Sequence, residues 1–150
     1  MRKPLLFLIF LSLCGCSSAA TLQDLSIPLA TIKRAINSSL PLGVRKVSDN
    51  GRTYYSHYYT FSKKKKGVVS ATNAPKRFYA EVIINGTTRP YDVKVTVRQE
   101  VREKNVNAVL PVYSDRGIHQ GQSKAVARRI GRALTQRPKE INIIDDYRVF

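Results

Sequence analysis

Two neighbouring segments with alternating apolar and polar residues constrain the fold of this chain more than any other feature. In residues 77–84 and again in residues 91–97, every second side chain is apolar, which is typical of strands with one buried face. The intervening segment NGTTRP, residues 85–90, contains the Gly and Pro that are common in turns. The inward-facing residues are predicted to be Phe78, Ala80, Val82, Ile84, Tyr91, Val93, Val95 and Val97. We therefore predict an antiparallel hairpin packed against a hydrophobic core.

Two further segments show the three- and four-residue spacing of apolar side chains that is typical of amphipathic helices. The first helix is predicted to have Pro28 in its first turn and to end before Pro41. The second is predicted to span Gln122 to Gln136. The predicted apolar stripes are Leu29, Ile32, Ile36 and Leu40 in the first helix, and Val126, Ile130, Ala133 and Leu134 in the second.

The remaining segments complete a prediction of fold class. Residues 53–61, TYYSHYYTF, favour a strand, and residues 62–75 favour an exposed loop. Ile141, Ile143 and Ile144 are candidates for a fourth strand at the sheet edge. We therefore predict a small single α+β domain, with an antiparallel three-stranded sheet between an N-terminal and a C-terminal helix, in the order α-β-β-β-α.

The first fifteen residues have the layout of a secretory signal peptide. Arg2 and Lys3 supply the positive start, and residues 5–13, LLFLIFLSL, supply the apolar stretch. At about 1.5 Å per residue, this stretch is too short to cross a hydrocarbon core of about 30 Å. It is predicted to direct export and not to span the membrane.

The segment Leu13-Cys14-Gly15-Cys16 resembles the lipobox of bacterial lipoproteins, with Leu three residues before the modified Cys and Gly directly before it. In that family the Cys receives diacylglycerol, the signal is cut before it, and the new amino terminus is acylated. The resemblance covers only residues 1–17, and Cys14 departs from the small or β-branched residue that is commoner there. It implies a signal peptide at 1–15 and lipid attachment at Cys16. The small and polar composition after Cys16 predicts a tether at 16–23, and the length of the remainder predicts one domain at 24–150.

The residue after Cys16 bears on localisation. Ser17 stands where an Asp would retain a lipoprotein at the inner membrane of enteric-type bacteria, so the resemblance implies the outer membrane, facing the periplasm. Several acyl chains on Cys16 would anchor the protein stably, because a single chain binds a membrane only marginally. The alternative is a soluble secreted protein cleaved after residues 18–20, Ser-Ala-Ala.

The charge of the chain favours an anionic partner. Twenty-six Lys and Arg residues against ten Asp and Glu residues give a net charge of +16, and loss of residues 1–15 leaves +14. In the cytoplasm this charge would indicate nucleic acid. An exported protein instead meets anionic lipid, lipopolysaccharide, glycans and acidic protein surfaces, so nucleic acid is not expected.

Two clusters of cations are the candidate anion-binding sites. Lys63, Lys64, Lys65 and Lys66 form one cluster, in a predicted loop. Arg128, Arg129 and Arg132 form the other, on the polar face of the second helix, where Arg is well suited to phosphate. A solubilising loop and an ordinary solvated helix face are the alternatives. The tyrosines of residues 54–59 favour packing, with stacking on sugars as the alternative.

The sequence offers no catalytic constellation, so an enzyme is not expected. Both Cys residues are used in processing, and neither His57 nor His119 has a second residue at a metal-ligand spacing. The adjacent Asp145 and Asp146 favour a turn. No metal or cofactor is expected beyond the covalent diacylglycerol and N-acyl chain on Cys16.

Three hypotheses follow for function. The first is a membrane-anchored cell-envelope lipoprotein that acts as a non-enzymatic binding or assembly factor for anionic lipid, glycan or an acidic protein surface. The second is a structural accessory subunit of an outer-membrane protein complex, docked through the exposed face of its sheet. The third is an envelope hydrolase with His57 or His119 as the base.

Overall fold

The computed structural model describes residues 19–62, 67–104 and 110–136. Within these ranges the chain forms one antiparallel sheet of eight strands and two helices. In chain order the elements are β1 (Ala20–Leu25), α1 (Leu29–Ser39), β2 (Val44–Val47), β3 (Thr53–Ser56), β4 (Tyr59–Ser62), β5 (Gly67–Ser70), β6 (Lys76–Asn85), β7 (Tyr91–Arg102), β8 (Tyr113–Ile118) and α2 (Gln120–Thr135).

The predicted three-stranded sheet in the order α-β-β-β-α is therefore wrong. The sheet has eight strands in the described ranges, and β1 precedes the first helix. Strands β1, β2, β5 and β8 were missed because each is four to six residues long and pairs with a single neighbour. Such edge strands are half exposed and carry few apolar residues, so their alternation is weak.

The new strands also occupy segments that had been predicted to be irregular. Strand β1 takes up residues 20–23 of the predicted tether, and β5 lies within the predicted loop at 62–75. The predicted fourth strand at residues 141–144, and Asp145 and Asp146, lie outside the described residues.

The predicted central hairpin is confirmed. Strands β6 and β7 pair in continuous register from Lys76 opposite Val101 to Asn85 opposite Asp92. All eight residues that were predicted to face inward are buried. Gly86 follows β6 at a φ of +99°, which an L side chain rarely adopts and which Gly adopts without strain.

Each outer edge of this hairpin is shared by two short strands. Along β7, β1 pairs with residues 91–95 and β8 pairs with residues 98–102. Along β6, β3 pairs with residues 81–83 and β4 pairs at Phe78. Strand β2 lies outside β3, and β5 lies outside β4. Both edges are thus interrupted near the middle of the hairpin.

A buried serine closes each of the two interruptions. The backbone N–H of Ala80 donates to Oγ of Ser56, and the backbone N–H of Val97 donates to Oγ of Ser123, both at 2.9 Å. Ala80 and Val97 are partners across the hairpin, so the two serines bind the same rung from opposite sides. Both serines are fully buried, and each satisfies a backbone donor that would otherwise lack a partner.

The predicted strand at residues 53–61 is present but interrupted. Tyr55 lies opposite Glu81, whereas Tyr59 lies opposite Phe78, so β3 and β4 follow the same edge with one extra residue between them. Because side chains alternate along a strand, this extra residue turns Tyr59 into the core and leaves Tyr58 on the opposite face.

Both predicted helices are confirmed, and together they form a layer on the inner face of the sheet. Helix α1 begins directly after Pro28, and α2 begins after His119, whose Nδ1 accepts a hydrogen bond from the backbone N–H of Gln122 at 3.3 Å. Ile36 and Ile130 are fully buried, which stabilises the fold by roughly 1.5–3 kcal/mol for each side chain. No helix in the described ranges combines the length and the apolar character needed to cross a bilayer.

Candidate anion-binding surface of the helices

Acidic residues are absent from both helices. The seven acidic residues of the described ranges all lie on strands or loops. The helices carry six basic residues, which are Lys33, Arg34, Lys124, Arg128, Arg129 and Arg132. No ion pair joins any of these six to a carboxylate within the described ranges. The layer formed by α1 and α2, called the helical layer below, therefore presents uncompensated positive charge.

The predicted arginines of α2 fall into two groups. Arg129 and Arg132 line a cleft of about 380 Å³ between α1 and α2. Nη1 of Arg129 donates to the backbone carbonyl of Ser39 at 3.4 Å, which ties α2 to the end of α1. Arg128 is exposed outside this cleft, with its Nε donating to the carbonyl of Lys124 at 3.4 Å. The structure thus brings Arg129 and Arg132 together but not Arg128.

The other residues of the helix cleft come from both helices. They are Ser38, Ser39, Ala133 and Gln136. The side chain of Ser38 donates to the carbonyl of Ala35 at 3.1 Å. The two serines were not predicted, because α1 carries no pattern that marks them as neighbours of arginines some ninety residues away.

The position of the cleft gives its arginines a structural role as well. It lies at the carboxyl-terminal ends of both helices, where unpaired carbonyl groups carry partial negative charge. Arg132 lies in the last turn of α2, and Arg129 contacts the last residue of α1. Part of their charge therefore stabilises the helix ends, and the remaining donors face the cleft.

Tyr59 lies in the core close to Arg129. Burial raises the pKa of Tyr59, and the positive charge of Arg129 offsets part of this rise. The phenol hydroxyl is buried and has no hydrogen-bond partner within the described ranges. Tyr59 is therefore a neutral phenol at physiological pH.

The outer face of the sheet, opposite the helical layer, holds its charges differently. Arg77 lies 2.7 Å from the carboxylate of Glu100, and Arg98 lies 2.8 Å from that of Asp115. Glu81 accepts a hydrogen bond from the hydroxyl of Tyr55 at 3.1 Å. These carboxylates are all engaged within the chain.

Four side chains from distant parts of the sequence stack on this outer face. The guanidinium carbons of Arg45 and Arg77 lie 4.3 Å and 3.8 Å from the ring centroid of Tyr58. Arg77 also lies 3.4 Å from the ring centroid of Tyr113. Because two guanidinium groups cannot share one ring face, Arg45 and Arg77 cover both faces of Tyr58. We call Arg45, Tyr58, Arg77 and Tyr113 the stacked column.

The tyrosines of residues 54–59 serve in packing. Tyr54 and Tyr59 are buried in the core. Both faces of Tyr58 are covered, and the hydroxyl of Tyr55 is bonded to Glu81. Stacking of a sugar on Tyr54, Tyr58 or Tyr59 is therefore blocked by side chains already in place.

Other predicted site residues lie apart from the helix cleft or outside the described ranges. His119 caps α2, and its ring packs edge-on against Phe78 at 5.5 Å between centroids, whereas His57 is exposed. Cys16 and the cluster at 63–66 lie outside the described residues. The described ranges contain no group of three or more His, Cys, Asp or Glu that could hold a metal ion.

No protein-family model, no curated protein and no solved structure matches this chain. Its functional interpretation therefore depends on the geometry and the charges described above.

Proposed function

We propose that this protein is a membrane-anchored, non-enzymatic envelope lipoprotein whose helical layer binds an anionic lipid surface. The observation that carries the proposal is the segregation of charge. The six cations of the helices have no carboxylate partner in the described ranges, whereas the ion pairs lie on the opposite face of the sheet. An uncompensated cationic face is available to an external anion.

The position of β1 links the proposed anchor to this face. Ala20, the first residue of β1, lies four positions after Cys16, so even an extended chain places the acylated residue within about 14 Å of the sheet. Strand β1 lies beside α2, and a Cβ added to Gly131 would meet the side chain of Leu22 at 3.8 Å. An anchor at Cys16 therefore holds α2 close to the bilayer.

The expected strength of the contact follows from the number of exposed cations. Lys124, Arg128 and Arg132 are exposed and follow one another at four-residue intervals along α2. Near an anionic leaflet each contributes roughly 1 kcal/mol, which gives about 3 kcal/mol before screening by salt. This contact is weak alone but sufficient to orient a domain that the anchor already holds at the surface.

Vesicle binding by the unlipidated chain tests the proposal. The chain from residue 16 onwards, with Cys16→Ser, is mixed with vesicles of phosphatidylglycerol and phosphatidylcholine, or of phosphatidylcholine alone. The triple variant Lys124→Gln, Arg128→Gln, Arg132→Gln should bind the anionic vesicles at least about tenfold more weakly. Binding should also weaken between about 0.1 M and about 1 M salt, because the Debye length falls from about 10 Å to about 3 Å.

The matched control removes the same charge from the sheet. Lys46, Lys94 and Arg102 are exposed on strands, and their replacement by Gln should weaken binding much less than the helix variant does. Equal losses in the two triple variants would contradict a contact through the helical layer. A variant with Lys63–Lys66 changed to Ser measures the separate contribution predicted for that segment.

A further inference from the structure

Arg45 and Arg77 occupy equivalent positions on the two faces of Tyr58 but differ in their other partners. Arg77 is mostly buried, with 13% of its side chain exposed, and it is ion-paired with Glu100 and stacked on Tyr113. Arg45 is exposed, and no carboxylate in the described ranges pairs with it. Within the stacked column, Arg77 therefore has its charge compensated by a carboxylate of the chain, whereas Arg45 does not.

A β-bulge directs Arg45 to this position. Val44 lies opposite Ser56 and Lys46 lies opposite Tyr55, so β2 advances two residues while β3 advances one. Arg45 is the extra residue. Bulges of this kind redirect a side chain, and here Arg45 and Lys46 both lie on the outer face.

Contact with Tyr58 restricts the guanidinium group of Arg45, which favours pairing with a planar anion such as a carboxylate. Its guanidinium carbon lies 4.3 Å from the ring centroid of Tyr58, which restricts the side chain, and none of its N–H groups pairs with a carboxylate in the described ranges. Tyr79 completes a corner, since its ring meets that of Tyr58 edge-on at 5.7 Å and lies 6.0 Å from the Arg45 guanidinium carbon. A guanidinium group already held in one orientation loses less entropy when it binds a carboxylate.

The carboxylates nearby on the outer face already have other partners and do not pair with Arg45. Glu81, Glu100 and Asp115 are bonded to Tyr55, Arg77 and Arg98 respectively. Within the described ranges no acid pairs with Arg45, which leaves its guanidinium group open to an acid from another molecule. A neutral sugar is not favoured, because both faces of Tyr58 are covered.

We propose that the corner formed by Arg45, Tyr58 and Tyr79 docks an acidic segment of a partner protein, with an Asp or Glu carboxylate paired with Arg45. Lys46, adjacent on the bulge, receives a second acidic side chain. Arg and Tyr are the residue types that dominate binding energy at protein interfaces. The corner lies on the face of the sheet opposite the helical layer, so it stays accessible when the helices rest on a membrane, and it does not depend on that contact.

The test uses two peptides and a chain in which the exposed cations of α2, which would also attract an acidic peptide, are replaced. A peptide of alternating Glu and Ser, and a matched peptide of alternating Gln and Ser, are titrated into the chain carrying Cys16→Ser and the triple helix substitution. The acidic peptide should bind saturably, and the Gln peptide should not. Arg45→Gln and Arg45→Lys should each weaken binding by about tenfold. Gln removes the charge, and Lys keeps the charge but lacks the planar guanidinium group that binds both carboxylate oxygens.

Lys94→Gln is the matched control, since Lys94 is an exposed cation on the same face. It should change binding by less than about twofold. Wild-type affinity in Arg45→Lys, or an equal loss in Lys94→Gln, would overturn the proposal in favour of attraction by net charge. Displacement of the peptide by inorganic phosphate at equal concentration would overturn it in favour of a phosphate ligand. Thermal unfolding verifies that each variant is folded.

Discussion

The helical layer and the outer face of the sheet are both rich in basic residues, yet they use them in different ways. On the outer face, Arg77 and Arg98 lie 2.7 Å and 2.8 Å from carboxylates of neighbouring strands. On the helices, Arg128 and Arg132 are exposed and have no carboxylate partner in the described ranges. The same residue type thus stabilises the fold where an acid lies across the sheet, and is available for binding where none does.

The largest expected effect lies on the outer face. Glu100→Gln removes the negative charge beside Arg77 in a pair whose side chains are 13% and 16% exposed. The substitution should lower the free energy of unfolding by about 2 kcal/mol, because a hydrogen bond between charged groups is lost and Arg77 keeps an uncompensated charge. Urea unfolding monitored by circular dichroism measures the change.

The exposed pair on the same face is the comparison for this substitution. Arg98 and Asp115 have side chains that are 38% and 47% exposed. Asp115→Asn should cost less than about 1 kcal/mol, since water screens the pair and solvates the remaining Arg. Equal losses for Glu100→Gln and Asp115→Asn would mean that burial does not separate the two pairs.

Tyr59, in the core beneath the helical layer, is expected to have a smaller effect on stability. Burial raises the pKa of Tyr59 above its ordinary value of 10.0, so the native state holds the phenol proton more tightly than the unfolded chain does. The stability from this difference is complete below about pH 10 and is lost as the pH rises further.

Tyr59→Phe isolates this contribution. Above about pH 10, the free energy of unfolding should fall less steeply with rising pH in the variant than in the wild type. At neutral pH its stability should change by no more than about 1 kcal/mol, because the hydroxyl has no partner in the described ranges. Urea unfolding at neutral and alkaline pH measures both quantities, and a larger loss at neutral pH would indicate a hydrogen bond from Tyr59 to water.

The smallest effect is expected on the surface of α2 and has the opposite sign. Arg128 lies four residues from both Lys124 and Arg132, so like charges repel along one helix face. Arg128→Gln should raise the free energy of unfolding by a few tenths of a kcal/mol at low salt, and by less at high salt. A measurable loss of stability would mean that the hydrogen bond from Arg128 to the carbonyl of Lys124 outweighs the repulsion, and it would weaken the contrast between the two faces.

Long stretches with a regular spacing of apolar residues predicted the hairpin and both helices, because β6, β7, α1 and α2 each bury one continuous apolar face. The short strands could not be predicted in this way. In β2 and β8, pairing with the neighbouring strand determines the conformation, and the segments VRKV and YSDRGI carry little periodicity of their own.

The sites were predicted only in part for a related reason. Arg129 and Arg132 were identified because they share a helix face, but the serines of the cleft come from α1. Arg45 was missed because one extra residue in β2 decides its direction. The same applies to Tyr58, which the extra residue between β3 and β4 places on the outer face.

The two serines at the rung of Ala80 and Val97 lie at the boundary between two parts of the sheet, and they come from different elements. On one side of this rung the hairpin is flanked by β1 and β3, and on the other side by β8 and β4. Ser123 belongs to α2, so fraying of either pair of edge strands leaves the amide of Val97 bonded, whereas Ser56 is the last residue of β3 and holds the amide of Ala80 only while that strand stays in place. We therefore expect the amide of Val97 to be more strongly protected from exchange with solvent than the amide of Ala80 when the edge strands fray.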